Sequence, residues 1–283
     1  YKGGPEWVKN AANLGKMRKV LRQLVMEGIS GRFWYEDSAK EVWEIVGHDL
    51  KRADMFCQLL AIYSPRSNIW VNSLQAVRAY THWASGMPAE SFDVGSGDQD
   101  SKAIAVLYKG EDWDGRKTGS FYTNLMYELI KGREDEAKAL GIDVDDIRSG
   151  RSTTDMWVMR AFGYANEETR DDKGSGMYSF TENETRRLTA LLNEKLKPGE
   201  EPWTPHQVQA AMWTALKTRY EIDEVKANTN KKSTEEGILR KKRVNGKEEY
   251  DYEGQTPDER RQHHANWREF AMEPDSATVT KLA

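Results

Sequence analysis

The chain has 283 residues, a formal net charge of −4, 38% apolar residues, 10 Trp and 12 Tyr. That is enough apolar material for one sizeable core or two small ones, and too much for a disordered chain. No run of about 18 apolar residues occurs, so no membrane-spanning helix is expected, and the mild acidity argues against a general nucleic-acid coat while leaving room for a local basic patch.

The first residues, Tyr1-Lys2-Gly3-Gly4-Pro5, hold neither Met nor an apolar leader, so a start farther upstream and a cytoplasmic location are expected. Residues 5–28 read as a helix. Pro5 suits its first turn and Gly28 its C-terminal cap, with Trp7, Val8, Ala11, Leu14, Leu21, Leu24 and Val25 at helical spacing. Residues 1–32 hold seven Lys/Arg against two Glu, which is either a solvated face or one that tracks phosphates. Ser38 with Glu41 forms a capping-box pattern for a short helix ending at Gly47.

An apolar helix is expected over 49–63, stopping before Pro65. It carries Cys57, which reads as core beside Phe56 and Leu60. As the single cysteine, Cys57 excludes an intramolecular disulfide, a four-cysteine zinc site and a four-cysteine iron–sulfur cluster. A further helix covers about 70–85, and 87–101 reads as a loop. The loop's Asp93, Asp98 and Asp100 do not match the spacing of an EF-hand. Short helices follow at 101–108, 119–131, 133–140 and 155–162, with an acidic, then polar insertion from Gly141 to Ser152 and a charged loop from Gly163 to Gly176. Thr181 with Glu184 caps a helix to about Leu196, and Thr204-Pro205-x-Gln207 caps another to about Tyr220. The tail, 225–283, has 12 Lys/Arg and 11 Asp/Glu. Its Asn245-Gly246 pair is a hairpin signal that sets Arg243 opposite Glu248, Lys242 opposite Glu249 and Arg240 opposite Asp251, largely neutralising the basic run.

Two stretches stand out for chemistry. Gly115-Arg116-Lys117-Thr118-Gly119 places a lysine at a helix start, where its charge works against the macrodipole and suits an amine nucleophile. Thr153-Thr154-Asp155-Met156-Trp157-Val158-Met159-Arg160 places Asp155 just before an apolar helix, where it reads as a good N-cap. His206 at a helix start reads as a capping neighbour and His263-His264 as a solvated pair; no metal site or cofactor is expected. No Walker A loop, G-x-S-x-G or H-E-x-x-H motif occurs.

Gly-Arg-Lys-Thr-Gly at 115–119 resembles the Gly-Arg-Lys-Thr-Ala of helix-hairpin-helix DNA glycosylases of the endonuclease III-like group. Residues 154–160 resemble that family's Val-Asp-Thr-His-x-x-Arg segment, and 60–72 its Leu-Leu-Ser-Ala-Gln-Thr stretch with the following helix. The resemblance implies an all-α fold with that helical arrangement, to which the Asn245-Gly246 signal adds a small C-terminal β-hairpin. Together with the charge and turn patterns, it divides the chain into a basic N-terminal helix and linker (1–36), a glycosylase-like helical domain (37–221) and a charged tail (222–283) with a hairpin near 239–252. The resemblance implies a DNA partner and chemistry on a flipped, damaged or modified base. Lys117 would be the amine that attacks C1′, and Asp155 the carboxylate that stabilises the sugar cation or activates the nucleophile. Arg66 would fill the gap left by the extruded base, with Ser64, Asn68, Arg116, Thr118, Tyr122, Trp157 and Arg160 around substrate or DNA.

The chain departs from that pattern at Glu111-Asp112-Trp113-Asp114-Gly115, where the family has Leu-Pro-Gly-x-Gly, and in lacking cluster cysteines. Ser120 to Leu125 and Pro205-x-Gln207-x-x-Ala210-x-x-Trp213 resemble a bacteriophage branch, thymine pyrophosphorylase-like enzymes of DNA hypermodification, which would place the protein in a host cytoplasm. A non-catalytic structural or interaction protein on the same scaffold is the third expectation.

Overall fold

The structure is a computed structural model. It describes residues 2–65, 69–111, 113, 115–164, 176–230, 241–244 and 247–250, and for 219–230 and the last two stretches the backbone alone. Among the described residues the fold is helical, and no helix is long and apolar enough to cross a membrane. The chain divides into two compact units interleaved along the sequence. One is Tyr1–Ala39 with Gly119–Arg219, and the other is Lys40–Thr118 with Tyr220–Ala283.

The first unit is built around α1 (Ala11–Glu27), the start of α2 (Trp34–Ile45), most of α6 (Arg116–Leu129), α7 (Glu134–Ala139), α8 (Val144–Arg148), α9 (Met156–Phe162), α10 (Met177–Asn193) and the first half of α11 (Pro205–Asn230). Helix α1 begins six residues later than its apolar pattern suggests. Asn10 is a stronger cap than Pro5 is a starter: its side chain accepts the Asn13 N–H at 2.9 Å. The apolar stripe Leu14, Met17, Leu21, Leu24 and Val25 packs against Val158, Met159 and Phe162 of α9, Leu188 of α10, and Val208, Ala211 and Met212 of α11. Each such side chain, fully buried, contributes about 1.5–3 kcal/mol.

Gly28, just past α1, lies so close to α11 that a Cβ there would stand 1.9 Å from the Ala211 carbonyl oxygen. Two of the basic residues at this end are bound within the unit rather than presented to solvent or phosphate. Arg18 donates to both carboxylate oxygens of Glu184, at 2.8 and 2.6 Å. Arg32 lies 4.1 Å over the Trp203 ring and donates to the Glu201 carbonyl at 2.7 Å.

Two expected caps lie inside helices. Ser38 sits within α2, which starts at Trp34, and Thr181 and Glu184 sit within α10, which starts at Met177 after Gly176. Both patterns are the right residues at the right spacing, but the apolar faces of these helices extend one turn further back. Thr181 and Thr185 bond back to carbonyls of the preceding turn. The Thr204 cap of α11 does form: its Oγ1 accepts the Gln207 N–H at 3.3 Å, and the Gln207 side chain accepts the Thr204 N–H at 3.2 Å. The stretch from Gly141 to Ser152, expected as an acidic, then polar insertion, contains α8, capped by Asp143.

The second unit holds α3 (Leu50–Tyr63), α4 (Ile69–Ala84) and α5 (Gly97–Ile104), which runs on into a π-helical turn, Ala105–Lys109. Asp49 caps α3 through the Arg52 N–H at 2.9 Å. Cys57 is fully buried on α3, and burial pushes its thiol well above its ordinary pKa. The stretch 87–101 is more than a loop: α5 opens at Gly97 with a capping box between Ser96 and Gln99. Asp100, inside α5, accepts from the Tyr63 hydroxyl at 2.7 Å and from the N–H groups of Val94 and Gly95 at 3.1 and 2.9 Å. Its oxygens are thus surrounded by donors, unlike a calcium ligand.

Two short strands near the C-terminus, β1 (Lys241–Val244) and β2 (Lys247–Tyr250), pair antiparallel, with Arg243 opposite Glu248 and Lys242 opposite Glu249. Arg240, Asp251 and His263-His264 lie outside the described residues.

Candidate functional site

Asp155 is the N-cap of α9, with extended backbone (φ −97°, ψ −179°). One carboxylate oxygen accepts the Val158 N–H at 2.8 Å, and the other accepts the indole N–H of Trp213, on α11, at 3.0 Å. The preceding residues hold the cap in place. Thr153 Oγ1 receives the Tyr35 hydroxyl and the Asn124 amide, each at 3.0 Å, and Thr154 Oγ1 lies 3.1 Å from Thr181 Oγ1. Ser152, Thr153 and Thr154 are all buried, so the strand-like lead into Asp155 threads a polar seam rather than open solvent. Burial pushes the Tyr35 phenol far above its ordinary pKa, with the nearby charge of Asp155 adding to it, so Tyr35 stays a neutral donor.

Beside the carboxylate stands a group of aromatic faces and cations. The Lys217 ammonium lies 4.5 Å from the Trp157 ring centroid and 5.8 Å from that of Trp213, and the Arg160 guanidinium lies 4.5 Å from Trp157. Asp155, Trp157 and Arg160 are thus brought together with Trp213 and Lys217, all half-buried. In the sequence Trp213 stood out only as the end of the Pro205 to Trp213 segment, and Lys217 not at all; nothing local ties either residue to Asp155.

The other expected site residues are placed as follows. Lys117 is half-buried in the first turn of α6 and belongs to the second unit, while Asp155 belongs to the first. Arg116 opens α6 and is exposed. The Thr118 hydroxyl donates to the Gly115 carbonyl at 3.2 Å, a local bond at the helix start. Ser64 ends α3, its hydroxyl donating to the Ala61 carbonyl at 2.9 Å. Tyr122 is half-buried on α6. Of the neighbouring aromatics, Phe121 stacks on Trp34 with centroids 6.0 Å apart, and Trp113 donates to Gln58 Oε1 at 3.2 Å; both pack within their own unit. Arg66, Asn68, Asp112 and Asp114 lie outside the described residues.

A second polar cluster, in the first unit, was not legible in the sequence. His206, expected as a capping neighbour, is 2% exposed and its Nε2 lies 3.1 Å from Glu128 Oε1 on α6. Tyr35 and Tyr127 meet the imidazole edge-on, with centroids 5.4 and 5.0 Å away. Lys131 pairs with the other Glu128 oxygen. Glu36 of α2 joins from the side, one oxygen accepting the Gln207 amide. Burial raises the Glu36 pKa, against the Gln207 hydrogen bond and with help from the charge of Glu128. Burial pushes Glu128 the same way, but hydrogen bonds and charge from His206 and Lys131 more than offset it and leave its pKa below the ordinary value. One donor atom from each of Glu36, Glu128 and His206 lies within 4.8 Å of the other two, so these three residues could hold a metal ion.

Comparison with known proteins finds no match: no family model, no curated protein and no solved structure is similar to the chain at a significant level.

Proposed function

We propose that the chain is a helix-hairpin-helix glycosylase-like enzyme acting on a base rotated out of DNA, with Asp155 as its catalytic carboxylate. The observation that carries this reading is the two-point hold on Asp155 by the Val158 and Trp213 N–H groups, next to the Trp157 ring and the Lys217 and Arg160 cations. Breaking an N-glycosidic bond builds positive charge on the sugar, and a carboxylate fixed in place stabilises that charge without reorganising. An indole face suits a flipped base, and cations beside it suit the flanking phosphates. By the resemblance of Gly115 to Gly119 alone, and independently of the placement of Asp155, Lys117 is proposed as the amine nucleophile that forms a Schiff base at C1′. The endonuclease III-like arrangement over residues 37–221 and the charge-neutralised tail hairpin belong to the same proposal.

The test is borohydride trapping of the full chain on duplex and single-stranded oligonucleotides carrying an abasic site or a 5-substituted pyrimidine. A covalent adduct is expected with the wild type and none with Lys117→Ala. Asp155→Asn should stop base release while leaving the adduct on a preformed abasic site. Absence of any adduct, together with base release indifferent to both substitutions, refutes the reading.

One observation favours a second reading. Trp213, the residue that meets Asp155, belongs to the segment resembling the bacteriophage branch. A pyrophosphorylase-like enzyme would release pyrophosphate from DNA carrying an activated pyrimidine and leave no abasic site. On a non-catalytic scaffold, Asp155→Asn would alter stability alone.

A further inference from the structure

We infer that Glu36, Glu128 and His206 form a binding site for a divalent first-row transition-metal ion, of which Zn²⁺ is the probe of choice. The three residues come from α2, α6 and α11, separate stretches of chain that all fall in the first unit. Their donor atoms lie within 4.8 Å of one another. Zinc binds imidazole nitrogen and carboxylate oxygen at about 2.0–2.2 Å, so small side-chain rotations suffice to close the three donors on one ion.

Three further observations point to a ligand rather than to a solvated acidic patch. The Glu36 Oε2 atom is shut off from solvent and has no hydrogen-bond partner, while the other oxygen is taken by Gln207. A buried carboxylate oxygen left without a donor costs stability unless something positive meets it. The His206 imidazole is buried and meets the Tyr35 and Tyr127 rings at steep angles, 76° and 62°, so packing restricts its orientation before any ion arrives. The surroundings also supply the outer contacts that a metal ligand needs: Gln207 on Glu36 and Lys131 on Glu128. One imidazole with two carboxylates, a mixed nitrogen and oxygen set, favours a borderline transition-metal ion over Mg²⁺ or Ca²⁺. With three protein donors, the ion would keep a position open to water or to an anionic ligand.

This site stands apart from the reading of Asp155, and either can fail without the other. The experiment is calorimetric titration of metal-stripped full-length chain with Zn²⁺, paired with thermal unfolding with and without the metal. One Zn²⁺ per chain is expected, with proton release on binding and a rise in Tm. Glu36→Gln and Glu128→Gln should each weaken binding at least tenfold and shrink the Tm rise accordingly. A His263→Ala, His264→Ala double variant should bind as the wild type does. His206→Ala should bind no zinc; should it fail to fold, the isosteric glutamine variants decide. No stoichiometric binding, or binding unchanged in both glutamine variants, overturns the site, as does binding lost with the His263-His264 pair.

Discussion

Replacing Asp155 separates a cap from a catalyst. Asparagine caps a helix about as well as aspartate, so in Asp155→Asn the amide oxygen keeps the Val158 N–H and the cap loses at most a few tenths of a kcal/mol. A carboxylate, however, offers two acceptors and an amide only one. Whichever way the amide is turned, either the Val158 N–H or the Trp213 indole N–H then faces an NH2 donor. A buried donor left without an acceptor costs about 1–3 kcal/mol, and because Trp213 is half-buried the cost falls at the lower end, about 1 kcal/mol. Asp155→Ala loses the cap as well as the indole bond, about 1 kcal/mol for each, a total of about 2 kcal/mol.

Trp213→Phe removes the donor along with part of the ring facing Lys217, a loss common to both arms of the cycle, and in that background Asp155→Asn should cost almost nothing, a coupling of about 1 kcal/mol. Urea unfolding with unchanged m-values measures all four variants. If Asp155→Asn is indistinguishable from wild type, or if its cost is the same with and without Trp213, the indole bond is not what holds this carboxylate. A loss of about 1 kcal/mol leaves a domain of ordinary stability folded, so abolished base release in Asp155→Asn reports chemistry rather than unfolding.

Three further outcomes follow from packing and charge. Gly28→Ala should destabilise the chain by about 1–3 kcal/mol, read as a lower urea midpoint, because its Cβ would collide with the α11 backbone at Ala211. At Glu184, burial acts to raise the carboxyl's pKa, but the hydrogen bonds and charges of Arg18 and Arg187 more than offset it, so the folded pKa lies below the unfolded one. The stability this contributes is present above the ordinary carboxylate pKa and is lost as pH falls through the lowered value. Arg18→Met should flatten that acid limb in Tm-versus-pH curves and, with its side chain about a third exposed, cost about 1 kcal/mol at neutral pH. Asp100→Asn should cost about 1–3 kcal/mol, since the Tyr63 hydroxyl and the Val94 and Gly95 N–H groups share its two oxygens; an unchanged unfolding midpoint would contradict that network.

What the sequence alone determined was the local content: the helical character of the described residues, the stop of α3 before Pro65, the Thr204-Pro205 start of α11, the cap at Asp155 and the buried Cys57. These follow from φ restriction, side-chain capping and apolar periodicity, which act over a few residues. Only the tertiary structure decided which of several plausible caps operate. Ser38 and Thr181 carry good capping chemistry yet sit inside α2 and α10, because the helices extend their packed faces past them.

Long-range pairings were equally out of reach. The bond from Trp213 to Asp155 spans 58 residues, and the contact of His206 with Glu128 spans 78. Neither spacing is a motif. A carboxylate or an imidazole acquires its role from the donors and charges that other helices carry to it, and packing alone chooses those neighbours.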